Sequence, residues 1–558
     1  MFLRLQTVFI LAGLSFSVLL SCTRKDAQAE FSDNFRVKFV SITEDSAQGR
    51  VIFNPELIAD LYDMDEDVVL KRWGNKQKVE QMISVIQNVE EDGLHPNDYH
   101  LQAIENLAET VFYSRNYEVE DVVELELLLT DALFVIASHL AEGKLDAENI
   151  DPQWNASKRK MDINLEAFVD SALTNNTIEE SLKNLVPPYR EYRNLKKALA
   201  KYREVKASGG WDSFETSMPK LQKGVTHEDV ATLRKRLMVT QGDVYENLED
   251  EKIFASKLHE QVVIFQKRNG LTADGVVSKS TIEALNIPVE ERIATIEANL
   301  ERWRWINDDL GKKYIKVNIA NFELQVVEND TAVFVSDAIV GKPFRKTPVF
   351  SSVMNHLVFA PTWTVPPTIL KQDVIPAVVQ KPSYLREKNM KVLRNDGSEV
   401  DPATIDWKKA AVSGFPYRIR QEPGKDNALG AVKFMFPNKH SVYIHDTPTR
   451  NLFVHTDRSF SSGCIRIAKP LELAAYLLQD KPEWTKAQIS KVVEQGRERT
   501  VHIKPLAVHL LYLTTWADDE GIVHFRKDIY DRDDVLLKAL NQKPPVAALE
   551  ESKEMAGL

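Results

Sequence analysis

Ser461-Ser462-Gly463-Cys464-Ile465-Arg466 decides how this chain is read, because it holds one of only two cysteines in 558 residues. The other, Cys22, closes a hydrophobic leader, so Cys464 has no internal disulfide partner in an exported chain. Such a thiol is either a small buried hydrophobe or a reactive group. The thiolate is the attacking species, and an ordinary cysteine is mostly protonated at neutral pH, so a nucleophilic role needs a nearby base. His445 follows the apolar run Val442-Tyr443-Ile444 and is expected at a strand end; His440 and His455 are close enough in sequence to compete. Gly463 allows close approach of backbone to a reacting carbonyl, and the amides of Ser462, Gly463 and Cys464 form a candidate oxyanion hole. Arg466, two residues beyond the thiol, points to the same side if the segment is a strand. The residues alone are compatible both with an exported acyl-transfer enzyme built on a Cys–His pair and with a thiol that is only a small buried hydrophobe.

Bulk properties bound the alternatives. The composition is 43% apolar and 27% charged, and the length calls for several domains. A formal net charge of -11 argues against a nucleic-acid partner. No zinc framework is expected from two distant cysteines and scattered histidines, and no other metal or cofactor is implied. At the N-terminus, Arg4 precedes an apolar stretch from Val8 to Leu20, too short and too early for an ordinary membrane span. Leu19-Leu20-Ser21-Cys22 resembles a bacterial lipobox, which makes Cys22 the lipidated residue and places a membrane anchor at the N-terminus. Ala27-Gln28-Ala29 is the competing cleavage site, set back by the charged Arg24, Lys25 and Asp26. Both readings export the chain. Thr23 in place of aspartate points to a periplasm-facing lipoprotein of the outer membrane.

The expected architecture is multidomain α+β. After a signal peptide over 1–22, residues 23–218 read as a helical scaffold, with Val123, Leu127, Leu128 and Leu133 on one helical face and His95 and His139 as structural residues. Residues 219–289 read as a small three-helix module, opened by a capping box at Thr226-x-x-Asp229. Its turn Leu271-Thr272-Ala273-Asp274-Gly275-Val276-Val277 resembles that of the peptidoglycan-binding module of cell-wall enzymes. A linker helix is expected over 290–310. Period-two alternation then marks a β-rich catalytic domain over 311–505, with the strand pattern lost in an inserted lid at about 366–414 and a C-terminal tail from 506 to 558.

His445-Asp446-Thr447-Pro448 followed by Ser461-Ser462-Gly463-Cys464-Ile465-Arg466 resembles the signature of YkuD-type L,D-transpeptidases. Pro361-Thr362-Trp363-Thr364-Val365-Pro366 and Val432-Lys433-Phe434-Met435-Phe436-Pro437-Asn438 resemble the large YcbB-like branch, which has the same domain order. The broad family has histidine where Ser462 stands, so only a backbone role carries over to Ser462. The resemblance implies a cysteine acyltransferase that attacks the third residue of a peptidoglycan tetrapeptide stem, releases D-alanine and forms 3→3 cross-links. Trp363, Tyr443 and Arg466 are the expected substrate-side residues; Asp446, beside the base, is a further candidate there but reads first as a turn residue. The same site could instead run as a carboxypeptidase or endopeptidase, or attach a protein to the wall. A non-catalytic wall-binding lipoprotein is the rival from another class.

Overall fold

Helical periodicity in the first third of the chain becomes a bundle around α1 (Val119–Glu142), in a computed structural model that describes residues 27–41, 51–64, 68–156, 159, 161, 163–242 and 250–544. Cys22 and the leader lie outside the described residues. Apolar side chains run almost all round α1, which is why it is buried along its length and not laid on a surface. His139, on α1, meets the Tyr99 hydroxyl at 2.9 Å. Helix α2 (Arg190–Ala207) leaves this bundle and buries Tyr192, Leu195, Leu199 and Tyr202 in the main core of the chain. Among the described residues, no helix is long and apolar enough to cross a membrane.

The three-helix module comprises α3 (Glu228–Gln241), α4 (Ser256–Arg268) and α5 (Lys279–Leu285). Val230, Leu233, Leu237, Leu258, Val262 and Leu285 form its own small core. The cap of α3 is His227, whose ring accepts the Asp229 N–H at 3.3 Å. The expected capping box at Thr226 is thus displaced by one residue, because Thr226 is bridged to Ile253 as a short extended pair. Gln266 organises the Asp274-Gly275-Val276 turn. Its amide donates to Asp274 Oδ1 and to the Val276 carbonyl, and its oxygen accepts the Gly275 N–H at 2.8 Å. Gly275 has φ +71°, and a Cβ there would sit 2.1 Å from the His259 ring, so glycine is required.

Helix α6 (Val289–Arg304) was expected as a linker, yet it is the most embedded helix outside the scaffold. Ile296, Leu300 and Trp303 belong to the same core as the sheet that follows. Its polar residues are buried too. Glu301 accepts the Leu145 N–H at 2.8 Å and bonds Arg304 through Oε2 at 2.6 and 3.0 Å. Arg304 donates onward to the Asp92 carbonyl and to the Tyr192 hydroxyl. On other faces, Asn299 exchanges two 2.9 Å bonds with Thr514, and Arg292 donates to Asn269 of the module at 2.6 Å.

The main sheet has ten strands and closes on itself. Its strands are β1 (Trp154–Asn155), β2 (Lys313–Asn318), β3 (Glu323–Glu328), β4 (Thr331–Gly341), β5 (Val349–Phe359), β6 (Val432–Met435), β7 (Ile444–His445), β8 (Ser459–Ser461), β9 (Ile465–Ile467) and β10 (Arg499–Leu511). The order is β1-β5-β6-β7-β9-β4-β3-β2-β10, with β8 beside β4. Strand β10 runs parallel to β2 and antiparallel to β5, which closes the long strands into a ring and leaves the short β1 and β8 each with a single partner. This corrects the boundary expected at 505. Pro505 reads as a strand end, but it falls at a register shift between His502 and Leu506, where a proline costs no ladder bond.

The insertion is also more ordered than its sequence pattern implies. Residues 363–421 carry a four-stranded sheet, with Trp363–Thr364, Arg418–Gln421, Met390–Leu393 and Glu399–Val400 in that order. Val365, Val374, Ile375, Val392 and Ile419 give it a separate core. The strands are too short for alternation to register. Because Glu301 and Arg304 are both excluded from solvent, removing one leaves a charge buried without its partner. Glu301→Ala should therefore cost about 3–5 kcal/mol. The expected reading is a lower urea midpoint for the helical bundle and the main sheet together.

Candidate active site

The geometry of the site follows from two strand registers. His445 on β7 pairs with Lys433 on β6 in antiparallel register and with Arg466 on β9 in parallel register. Directly paired residues share a face, and residues two apart on a strand do so as well. Lys433, Tyr443, His445, Cys464 and Arg466 therefore project from one side of the sheet. The alternate residues Phe434, Ile444 and Ile465 are fully buried on the other side, which anchors the register. A one-residue slip would turn the thiol into the core.

That polar face floors a cavity of about 690 Å³. Tyr443, His445, Cys464 and Arg466 line it from the sheet, Ser462 from the catalytic turn, and Trp363 from the base of the lid. Pro366 to Ile369 of the lid also border it. Of the competing histidines, His440 reaches the same cavity, packed against Phe350, whereas His455 packs against Phe460 outside it. His445 is the one whose strand is hydrogen-bonded beside the strand that begins after Cys464.

The His445 ring is oriented by main chain. Its Nδ1 lies 2.5 Å from the Asp446 carbonyl. A carbonyl can only accept, so Nδ1 carries the proton and Nε2 is left with a lone pair. Burial, reinforced by the positive charges of Arg466 and Lys433, pushes the imidazole down to about 3, against the opposing pull of that carbonyl. His445 is thus neutral over the physiological range. Burial pushes the Cys464 thiol up, while hydrogen bonding from Tyr443 and the charges of Lys433 and Arg466 pull the other way. The thiol also points at the Ser441 carbonyl, 3.8 Å away. The resting pair is a thiol and a neutral imidazole, not a thiolate–imidazolium pair.

The turn before the thiol is held from within. Gly463 has φ +113°, which favours glycine, and its carbonyl accepts the Thr347 hydroxyl at 2.9 Å. The Gly463 N–H donates to Ser461 Oγ at 3.1 Å, and that hydroxyl donates to the Cys464 carbonyl at 2.5 Å. The expected contribution of Gly463 to an oxyanion hole is therefore already spent on Ser461 in this conformation. Among the described residues, the Ser462 and Cys464 N–H groups have no acceptor. Asp446 takes the turn role and not the substrate-side one. Its carboxylate accepts the Ala431 N–H at 2.7 Å and the Thr447 N–H at 2.6 Å and pairs with Arg450, so it is a turn residue facing away from the cavity.

Two participants escaped sequence reasoning. Lys433 lies over the Tyr443 ring, 3.9 Å from its centroid, and Tyr443 lines the cavity together with Cys464 and Trp363. Alternation across Val432–Met435 places Lys433 opposite Phe434, but only the register with β7 brings it to His445. Arg345 joins the lid to the catalytic turn: it donates to Asp373 at 2.7 Å, to Gln372 at 2.6 Å and to Ser462 Oγ at 2.8 Å. It sits in an irregular turn with no periodic signal. Among the described residues, no group of three or more His, Cys, Asp and Glu is placed to hold a metal ion.

Residues 312–494 match the YkuD family, described as the L,D-transpeptidase catalytic domain, and residues 57–199 match a scaffold domain. Residues 226–285 match a family described as "Putative peptidoglycan binding domain". A protein of Haemophilus influenzae named "Putative L,D-transpeptidase" is 38% identical over 236 residues, which is 42% of this chain and 47% of that protein. The chain thus spans about half the length of this relative. A solved L,D-transpeptidase from Xylanimonas cellulosilytica aligns at 15% identity over 53% of this chain and 100% of its own, with a TM-score of 0.16, too low to inform the fold.

A protonated thiol beside a neutral imidazole has a definite chemical signature. Alkylation of Cys464 by iodoacetamide should rise about tenfold per pH unit between roughly pH 6 and 8, tracking the thiolate fraction. A plateau across that range, followed by intact mass, would show a preformed ion pair instead.

Proposed function

We propose that this chain, which carries a YkuD-type L,D-transpeptidase catalytic domain behind a scaffold and a peptidoglycan-binding domain, forms 3→3 cross-links between peptidoglycan stem peptides through a cysteine thioester. The observation that carries this reading is the single sheet face that presents Cys464, His445, Tyr443 and Arg466 beneath a lid. In the first half-reaction, Cys464 Sγ attacks the carbonyl of the third stem residue, a diamino acid, as its proton passes to His445 Nε2. The negative charge that develops on the carbonyl oxygen is received by the Ser462 and Cys464 N–H groups. His445 then returns the proton to the nitrogen of the departing D-alanine, and the C–N bond breaks to leave the thioester.

In the second half-reaction, the side-chain amine of another stem attacks the thioester carbonyl. His445 accepts the amine proton, the C–S bond breaks and the thiol is restored. The neutral state of His445 suits both steps, since it must begin each as an acceptor. Lys433 and Arg466 supply positive charge that favours the thiolate as it forms, which offsets the burial that disfavours it at rest. The lid favours transfer over hydrolysis by limiting water at the thioester. Trp363 and Tyr443 offer aromatic surface to the stem.

The N-terminal reading completes the proposal. Lipidation at Cys22 would hold the chain on the periplasmic side of the envelope, at the outer membrane, with the module at 226–285 directed to peptidoglycan. One acyl chain binds a bilayer only marginally, so a stable anchor uses several. Radiolabelled palmitate should be incorporated by the wild-type chain in cells and not by Cys22→Ser.

Mass spectrometry of muropeptides tests the chemistry. Disaccharide tetrapeptides incubated with the protein should yield dimers that have lost one D-alanine, and Cys464→Ala should lower that yield by at least about a thousandfold. Free tripeptide without dimer would assign the site to hydrolysis. Full activity in Cys464→Ala would overturn the thioester.

A further inference from the structure

The loop that joins β4 to β5, Lys342-Pro343-Phe344-Arg345-Lys346, folds back on itself at the wall of the Cys464 cavity. The Arg345 N–H donates to the Lys342 carbonyl at 2.8 Å. The loop is tied to both sides of the nucleophile turn. The Lys342 N–H donates to the Ser461 carbonyl at 3.0 Å, and the Thr347 hydroxyl donates to that of Gly463 at 2.9 Å. Tyr530 adds a third anchor, its hydroxyl donating to the Gly341 carbonyl at 2.7 Å and accepting the Thr347 N–H at 3.0 Å. Arg345 is therefore held in a fixed position relative to Cys464, which is what a recognition residue requires.

Its guanidinium is shared between the turn and the lid. Nη1 and Nη2 grip the Asp373 carboxylate at 2.7 and 3.3 Å, Nη2 donates to Gln372 Oε1 at 2.6 Å, and Nη1 donates to Ser462 Oγ at 2.8 Å. Two-pronged contact with one carboxylate is the geometry in which arginine binds that group best. The two sides of the pair are unequal. Asp373 is 49% exposed, on a π-helical turn of the lid at Leu370–Val374, so water readily replaces its partner. The Arg345 side chain is 14% exposed, and a largely buried cation that loses its carboxylate keeps the cost of its lost hydration. Lys342 and Lys346 stand beside it, and among the described residues Asp373 is the one carboxylate paired with this loop of three cations. If Asp373 leaves, the guanidinium calls for another carboxylate in its place.

We propose that Arg345 is the receptor for the terminal carboxylate of the donor stem, and that Asp373 is the internal carboxylate it exchanges for the stem's. The inference rests on the proposed 3→3 chemistry and names the residue that selects the donor. In a tetrapeptide the fourth residue departs, and its carboxylate lies two bonds from the scissile nitrogen. Arg345 is bonded to the side chain of Ser462, whose N–H is assigned to the developing oxyanion, so the guanidinium stands beside the bond that breaks. A pentapeptide ends one residue further on, about 3.5 Å beyond, and presents an amide at the same place. A neutral amide oxygen accepts a weaker bond than a carboxylate that fills the charged fork. Arg466 is engaged elsewhere: it rises from the sheet, where its charge acts on the thiol.

The test is isothermal titration of the full chain carrying Cys464→Ala, which has no nucleophile, so recognition is read apart from chemistry. A disaccharide tetrapeptide should bind about ten- to a hundredfold more tightly than the same molecule ending in a carboxamide. Adding Arg345→Gln should weaken the acid until the two ligands agree within about twofold. Adding Asp373→Asn, on the exposed side of the lid, should tighten the acid by up to about fivefold and leave the carboxamide unchanged. Equal binding of acid and carboxamide to the chain that retains Arg345 would overturn the proposal, and this comparison needs no Arg345 variant to fold. A preference for the acid that survives Arg345→Gln would overturn it too, as would weaker binding of the acid in Asp373→Asn. Binding of neither ligand would remove the stem-peptide reading itself, whereas equal binding of both removes this inference alone.

Discussion

The buried pair Glu301–Arg304 on α6 is the constraint on which the arrangement of domains depends. Neither side chain is exposed, so each ion has lost its hydration and relies on the other and on fixed partners in the scaffold. Those partners are the Leu145 amide, the Asp92 carbonyl and the Tyr192 hydroxyl, which lie far apart in sequence. Tyr192 in turn donates to Asp92, and Lys196 pairs with the same carboxylate. A helix tied in this way cannot rotate without stripping several buried groups at once. The same helix grips Thr514 and Asp533 on one side and Asn269 on another. Scaffold, module and sheet therefore meet as one unit around it.

From α6 the chain enters β2, and the closed sheet inherits a defined orientation. Closure depends on β10, whose partners β2 and β5 are distant in sequence. Such pairing contributes nothing until long loops have been ordered, so the catalytic face forms late relative to the helical scaffold by the usual logic of loop entropy. Once formed, it sets a balance of opposing electrostatic effects. Burial raises the thiol and depresses the imidazole, and two cations, Lys433 and Arg466, favour the thiolate while making a second positive charge on His445 costly. The result is a nucleophile kept protonated until an acyl substrate can share the charge.

How much of this was legible depended on the range of the interaction. The placing of Cys464 and His445 on one cavity, the strands around 313–341 and the three helices of the module were readable because their signals are local: a signature turn, period-two alternation and 3.6-residue spacing. Lys433 and Arg345 were not: Lys433 lies in a stretch that marks the branch without assigning it a role, Arg345 lies in no motif, and each acquires meaning through a partner more than ten residues away. The strands of the lid were too short to alternate. Pro505 masked the continuity of β10. The His227 cap required knowledge of the Thr226–Ile253 bridge. Asp446 and Gly463 were identified as site residues, but the turn consumes the hydrogen-bonding groups that sequence adjacency had assigned to substrate.

By itself, the sequence determined the order of the domains, the lone thiol, its candidate base and the glycine that shapes the turn, because each is encoded within a few consecutive residues. Tertiary structure alone decided that a helix expected to be a linker is the hub, and that His445 is held neutral with Nε2 free. The physical reason is common to both. Burial, register and the sum of nearby charges are properties of neighbours in space, and a chain does not record who those neighbours are until it has folded.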